Sequence, residues 1–309
     1  MNNQSEISFF VILSIALAFL FIVSLTLGLN VERGNNSLPS QVTRSVFPIV
    51  NIGAKAAYVY DIRTKTVLFA KNENTRLPLA SLTKVMSALV AQDLSPLYGT
   101  VVVSSEALTA EGDSGLIQDE KWSLKDILDF SLLTSSNDGM RAVALSLGAL
   151  SSAQASPEEI INDFVGEMNR KASELGLKNT YFWNETGLDE SDLKGGAYGT
   201  ARDISTLLEY ALINYPEMFA ATRESVGAFQ SLDNHRHLAK NTNGLATEIP
   251  GLLASKTGYT NTAGGNLVIA FDPELGRPII VSILGSSEQG RFEDVHILVR
   301  AVMNYISEN

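Results

Sequence analysis

The feature that most constrains this chain is where its strand-forming segments lie. From Ala56 the run "AAYVYDIRTKTVLFAKN" sets two short apolar stretches around Arg63, Thr64 and Lys65, the pattern of a β-hairpin. Strand patterns return in the last third, as "LLASKTGYT", "GNLVIAFD" and "RPIIVSILGS", with "DPELG" turning the chain between the last two. The middle reads as mostly helical. "SLKDILDFSLLTSS" and "DGMRAVALSLGAL" space apolar residues by three and four, and "SPEEIINDFVGEMNRKASELG" and "TARDISTLLEYALINY" open on hydroxyl caps. A final amphipathic helix, "FEDVHILVRAVMNYIS", closes the chain. Strands early and late with helices between predict an α/β (α+β) fold: one antiparallel sheet built from both ends of the chain, with an all-helical lobe inserted over about 104–245. A site then falls in the cleft between sheet and lobe.

The formal net charge of the 309 residues is -11, and no basic run occurs, which excludes a nucleic-acid partner. Cysteine is absent, so disulfides, thiolate nucleophiles and Cys-ligated zinc are excluded together. The three histidines, His235, His237 and His296, form no H-E-x-x-H frame. No metal and no cofactor is called for. His235 and His237 are expected in a polar loop.

Residues Ile7 to Leu29 contain no charge. As a helix they span roughly 34 Å, enough for a bilayer core. The segment before them carries Glu6 and no Lys or Arg, and no A-x-A-like site follows, which favours an uncleaved transmembrane anchor over a cleaved signal peptide. The expected organisation is an anchor over 1–30, a linker rich in Asn, Ser, Pro and Gly over 31–50, and a folded domain over 51–309. Flanking charge says little about orientation.

Three serine patterns compete for chemistry. "GDSG", Gly112 to Gly115, resembles a chymotrypsin-like nucleophile loop, but that arrangement needs an earlier histidine and the first here is His235. "SDLK", Ser191 to Lys194, has S-x-x-K spacing but lies in a polar stretch before two glycines. "SLTK", Ser81 to Lys84, opens an apolar helix, where residues three apart share a face with Cβ atoms about 5 to 6 Å apart. Downstream of it come "SSN", Ser135 to Asn137, between two helical segments, and "KTG", Lys256 to Gly258, on a strand.

S-x-x-K, S-x-N and K-T-G in that order are the signature motifs of penicillin-binding proteins and serine β-lactamases. Longer segments, among them "AYVYDIRTKTVLFAKNENTRLPLASLTKVMSALVA", "NTYFWNETGLDE" and "LLASKTGYTNTAGGNLV", resemble the low-molecular-mass penicillin-binding D-alanyl-D-alanine carboxypeptidases from about Ala56 onward. The resemblance implies a β-lactamase/transpeptidase-like fold and, for a chain with the single-pass anchor read above, a catalytic domain on the extracytoplasmic side. It implies that Ser81 is the nucleophile, Lys84 its base, and Ser135 the proton carrier to the leaving amine. Asn137, Lys256, Thr257 and Gly258 would bind substrate, and the backbone N–H groups of Ser81 and Tyr259 would hold the oxyanion. The implied substrate is a peptidoglycan stem peptide ending in D-Ala-D-Ala, with β-lactams as covalent inhibitors. Ser136 departs from the pattern, since glycine is usual there.

The chemistry suits these residues: a serine hydroxyl needs a base, and a lysine serves only as free amine. Desolvation and a second cation, Lys256, are the two effects expected to lower its proton affinity. Each residue alone also has a plain reading: Ser81 as helix cap, Lys256 as a solvated strand charge, Ser135 and Asn137 as helix ends. The tryptophans, Trp122 and Trp183, are expected in the core, and Glu185 and Asp189 in a loop at the cleft floor. Two other functions compete, a serine β-lactamase, for which Glu185 is a distant candidate as water-activating carboxylate, and a non-catalytic penicillin-binding sensor.

Overall fold

A computed structural model describes residues 46–148 and 155–309. The anchor expected over 1–30 and most of the linker lie outside the described residues.

The N-terminal hairpin pairs β1 (Ala56–Asp61) with β2 (Thr66–Lys71), and Lys65 takes a left-handed conformation at the turn, φ 56°. A two-residue strand β3 (Leu77–Pro78) leads through a 3-10 turn over Ala80–Leu82 into helix α1 (Thr83–Leu94). There follow β4 (Thr100–Val102), β5 (Lys121–Ser123), and helices α2 (Leu124–Thr134), α3 (Asn137–Gly148) and α4 (Pro157–Glu174). Beyond them lie β6 (Tyr181–Phe182), β7 (Ala197–Gly199) and α5 (Ala201–Asn214). The hairpin β8 (Val226–Gln230) and β9 (Arg236–Lys240) precedes β10 (Leu252–Thr260), β11 (Gly264–Phe271), β12 (Ile279–Ser286) and the closing helix α6 (Gly290–Ser307).

The main sheet has the order β10-β11-β12-β1-β2 and is antiparallel throughout. Its central pairing joins the two ends of the chain, with Ala56 opposite Leu284 and Asp61 opposite Ile279. Both faces are covered, so its inner strands read as continuous apolar runs. Ile279, Val281 and Ile283 face Val295, Leu298 and Val302 of α6, while Ile280 and Leu284 join the core that holds α1 and α5.

Helix α1 is the centre of that second core. Thr83 to Ala91 are all buried, nine in succession, so this stretch of the helix has no solvent face through which a side chain could reach water. Caps set the other helices. Ser156 and Glu159 form a capping box at α4, with Pro157 at the first position, and Thr200 accepts the Asp203 amide at α5.

The inserted lobe is not all helical. The pairs β4–β5 and β8–β9 and the small sheet β3-β7-β6 lie within or beside it. His237 corrects a second expectation. It sits in β9, not in a polar loop, and its Nε2 lies 2.7 Å from the buried Glu120 carboxylate, its ring packed on Trp122 and Phe130. With Leu238 exposed on the outward face of β9 and the inward His237 paired with an acid, the apolar-polar alternation of the strand is reversed at its centre and its period is hidden in the sequence.

Candidate active site

Ser81 stands on the 3-10 turn that enters α1. Its predecessor Ala80 is held at φ 48°, a conformation unfavourable for a residue with a Cβ. Several contacts hold it there. Thr83 Oγ1 donates to the Ala80 carbonyl at 2.8 Å, and the buried Asn266 of β11 donates from Nδ2 to the carbonyls of Pro78 and Leu79, both at 3.0 Å. Asn266 Oδ1 in turn accepts the Gly285 amide of β12. The sheet thereby fixes the angle at which the serine is presented.

Lys84 is fully buried one turn on, and its Nζ has three oxygen neighbours: Ser81 Oγ at 2.9 Å, Asn137 Oδ1 at 2.6 Å and the Thr186 carbonyl at 2.8 Å. The amide of Asn137 is oriented by its other end, where Nδ2 donates to the Glu111 carbonyl at 2.7 Å. Two of the three neighbours can only accept. A neutral amine therefore spends its two hydrogens on Asn137 and Thr186 and turns its lone pair to the Ser81 hydroxyl, the one neighbour with a proton to give.

Burial pushes the Lys84 ammonium down to about 7, against the opposing pull of the Glu185 and Asp138 carboxylates. Lys256, also buried, is held well below the ordinary lysine value, first by burial and then by the cations of Lys84 and Arg291. The sequence expectation of desolvation plus a second cation at Lys84 is thus met in its first part. The cationic repulsion bears chiefly on Lys256, because Lys84 has carboxylates close by and Lys256 has Arg291.

The S-x-N loop joins the two lysines. Ser135 closes α2 in a left-handed conformation, φ 62°, and its Oγ accepts from Lys256 Nζ at 2.8 Å. Ser136 accepts the Gly139 amide at 2.9 Å and donates to Asp138, so the residue found in place of glycine works as the cap of α3. Thr257 Oγ1 donates to Thr242 Oγ1 at 2.7 Å, and Gly258 accepts from Arg291 Nη1 at 2.9 Å. Ser81, Lys84, Ser135, Asn137, Lys256, Thr257 and Gly258 thus lie around one cleft. Tyr259 follows on the same strand, its side chain 45% exposed. Beside it opens a cavity of about 550 Å³ lined by Glu111, Asp189, Asp192, Tyr259 and Thr260 among others.

The decoys are placed elsewhere. Ser191 and Lys194 close a small surface bridge, with the lysine amine over the Trp183 ring at 4.6 Å. Ser114 of "GDSG" donates to Asp138, 2.7 Å, and ties its loop to the S-x-N turn. Trp122 is buried as expected, whereas Trp183 is half-buried between Tyr181 and Tyr198. Sequence reasoning missed Arg291, Thr242, Asn266 and the Thr186 carbonyl. Asn266 had one legible signal, a lone amide inside an apolar strand; a backbone carbonyl had none. Among the described residues no cluster of His, Asp and Glu is arranged to hold a metal ion.

The family described as D-alanyl-D-alanine carboxypeptidase matches residues 41–288. A D-alanyl-D-alanine carboxypeptidase of Mycobacterium tuberculosis is 32% identical over 244 residues, which cover 79% of this chain and 79% of that protein. Among solved structures, the DD-transpeptidase of Streptomyces K15 superposes with a TM-score of 0.73 at 26% identity, covering 84% of this chain and 98% of that one. Penicillin-binding protein D2 of Listeria monocytogenes, in its ampicillin-bound form, gives 0.67 at 27% identity, over 82% and 99% of the two chains.

Proposed function

This chain belongs to the D-alanyl-D-alanine carboxypeptidase family of serine peptidases, and from that membership and the geometry of the cleft we propose how its residues divide the work. The reaction is removal of the terminal D-alanine from peptidoglycan stem peptides through an acyl-enzyme on Ser81.

Lys84, as the free amine, takes the Ser81 proton while the oxygen attacks the carbonyl between the two D-alanines. The backbone N–H groups of Ser81 and Tyr259 receive the oxyanion, at the start of a helix whose dipole favours negative charge. Ser135, bonded to Lys256, delivers a proton to the departing D-alanine amine. Lys256 and Thr257 hold the terminal carboxylate, which supplies Lys256 with the counter-charge that the protein itself withholds. Asn137 binds the peptide backbone and steers Lys84, and Gly258, with no side chain, lets the substrate-binding strand lie close against the Ser81 turn. Water then releases the product from Ser81. The cavity beside Tyr259 gives the rest of the stem peptide a place to lie.

The observation that carries this reading is the set of three neighbours around Lys84 Nζ, two obligate acceptors and one hydroxyl. The carboxylate that a β-lactamase would need is less well served: Glu185 is 1% exposed and faces Arg141. β-Lactams accordingly act as slow-leaving covalent inhibitors. We further assign the catalytic domain to 51–309, joined by a linker over 31–50 to a single-pass anchor over 1–30, with the domain outside the cytoplasmic membrane. The uncharged run from Ile7 to Leu29 and an extracellular substrate support this.

Mass spectrometry after labelling with a fluorescent penicillin, paired with D-alanine release from a D-Ala-D-Ala peptide, tests the assignment. The adduct is expected on the Ser81 peptide, with both activities lost in Ser81→Ala. Rapid penicillin turnover with the peptide left intact would overturn it.

A further inference from the structure

Behind the cleft lies a buried acid that the reaction above does not use. Glu185 is 1% exposed, and its Oε1 makes no hydrogen bond; the nearest charge is Arg141 Nη1 at 3.9 Å. With only its own backbone N–H and the distant Arg141 to offset its burial, the carboxylate costs stability that an apolar or amide side chain of similar size would avoid.

Its surroundings give it a use. Residues 185 and 186 grip one turn of α1: the Glu185 carbonyl accepts from Ser87 Oγ at 2.6 Å, and the Thr186 carbonyl accepts from Lys84 Nζ at 2.8 Å. On α3, Asn137 and Arg141 stand four apart and share a face. Asn137 reaches Lys84 and Arg141 reaches Glu185, so the two helices and the loop are joined by two parallel rungs. Arg141 is itself steadied from outside by Glu106 at 3.6 Å.

We propose that Glu185, braced by Arg141, is a positioning residue for the Lys84 amine and sets the pH above which that amine can accept the Ser81 proton. This rests on Lys84 being the base.

The charged groups around Lys84 leave Glu185 as the adjustable one. On α1 itself Asp93 sits at the far end, bound to Lys171 and Tyr215. From α3 comes Asp138, whose oxygens are taken by Ser114 and Ser136. The 111–115 loop brings Glu111 and Asp113, the latter bonded to the Gly115 amide. α4 brings Lys171, bound to Asp93, β10 brings Lys256, and α6 brings Arg291, bound to Gly258. The 185–190 segment adds Asp189, bonded to Thr260 and Thr262, and Glu190, bonded to Asn184. The sign follows from charge: a carboxylate stabilises the ammonium form, so Glu185 raises the pH that Lys84 needs, while burial lowers it. Burial also pushes the Glu185 carboxyl up, with its own backbone N–H, then Arg141 and Lys84, pulling it back.

The test is the acid limb of the pH profile for acylation of Ser81 by a penicillin, on the full chain, in wild type, Glu185→Gln and Glu185→Asp. In Glu185→Gln the limb is expected to move down by about one pH unit, roughly a tenfold gain in acylation at pH values below it. Glu185→Asp keeps the charge and should stay near wild type. An unmoved limb in the glutamine variant, or a shorter aspartate that disturbs the profile as much as the isosteric glutamine, overturns the proposal. Should Glu185→Gln not fold, carbon-13 NMR of carboxyl-labelled glutamate in wild type decides: Glu185 must ionise at or below the limb, and a carboxyl still protonated above it defeats the idea. Undiminished acylation by Lys84→Ala would instead remove the base assignment, whereas an unmoved limb with Lys84→Ala inactive removes only the role of Glu185.

Discussion

A β-carbon on Gly258 would stand 3.1 Å from the backbone nitrogen of Ser81 and 3.0 Å from the Leu79 carbonyl. The substrate-binding strand therefore meets the nucleophile turn backbone to backbone, at a position where any side chain would have to push the Ser81 turn aside by a few tenths of an ångström. Gly258→Ala is expected to slow penicillin acylation about a hundredfold, the cost of displacing one oxyanion donor, while the melting temperature moves by only a few degrees. Stopped-flow acylation and a thermal melt read the two effects separately.

Because burial brings the Lys84 ammonium down to about 7, the fraction of free amine falls below that pH. Acylation of Ser81 should then lose about tenfold per pH unit on the acid side and level off above the limb. A rate that stays flat from pH 8 to pH 5 would contradict this.

Arg291 holds the Gly258 carbonyl from α6 and is 8% exposed. Arg291→Met leaves that buried carbonyl without its donor, at a cost of about 1–3 kcal/mol. Denaturant titration should show that loss, and D-alanine release should fall because the strand carrying Lys256 and Thr257 is no longer anchored. Unchanged stability would mean that water or another donor replaces the guanidinium.

Ser136 caps α3 through the Gly139 amide. Ser136→Ala is expected to cost about 1 kcal/mol, and Ser136→Gly only a few tenths, since glycine tolerates the cap position and lets water reach the free amide. Equal losses in both variants, measured by urea unfolding, would remove the capping role.

Much of the architecture was legible because it rests on period and punctuation. The hairpin around Lys65, the three late strands and the caps at Ser156 and Thr200 are local signals, and the structure carries them at nearly the expected residues. The short pairs β4–β5 and β8–β9 were not legible. Three residues each in β4 and β5 give no period, and in the five-residue strands β8 and β9 the pattern is masked, His237 reading as polar until Glu120 and Trp122 are seen around it. In the cleft, Ser81 and Lys84 are neighbours in sequence, so their contact followed from helix geometry. Arg291, Asn266 and Thr186 act across 33 to 188 residues of chain, and no local pattern encodes such pairings.

The central sheet joins β1 to β12, so the nucleophile is synthesised early and its partner strand β10 late. At about 5–20 residues per second the ribosome needs roughly 10 to 40 s to travel from Ser81 to Ser286. Throughout that interval the edge of β1 that β12 covers in the folded protein stays unpaired, and the β10 side of the cleft is missing. By the division of roles proposed above, a chain that stops short of β10 lacks Lys256, Thr257 and the Tyr259 N–H, and acylation awaits the docking of the carboxyl-terminal strands.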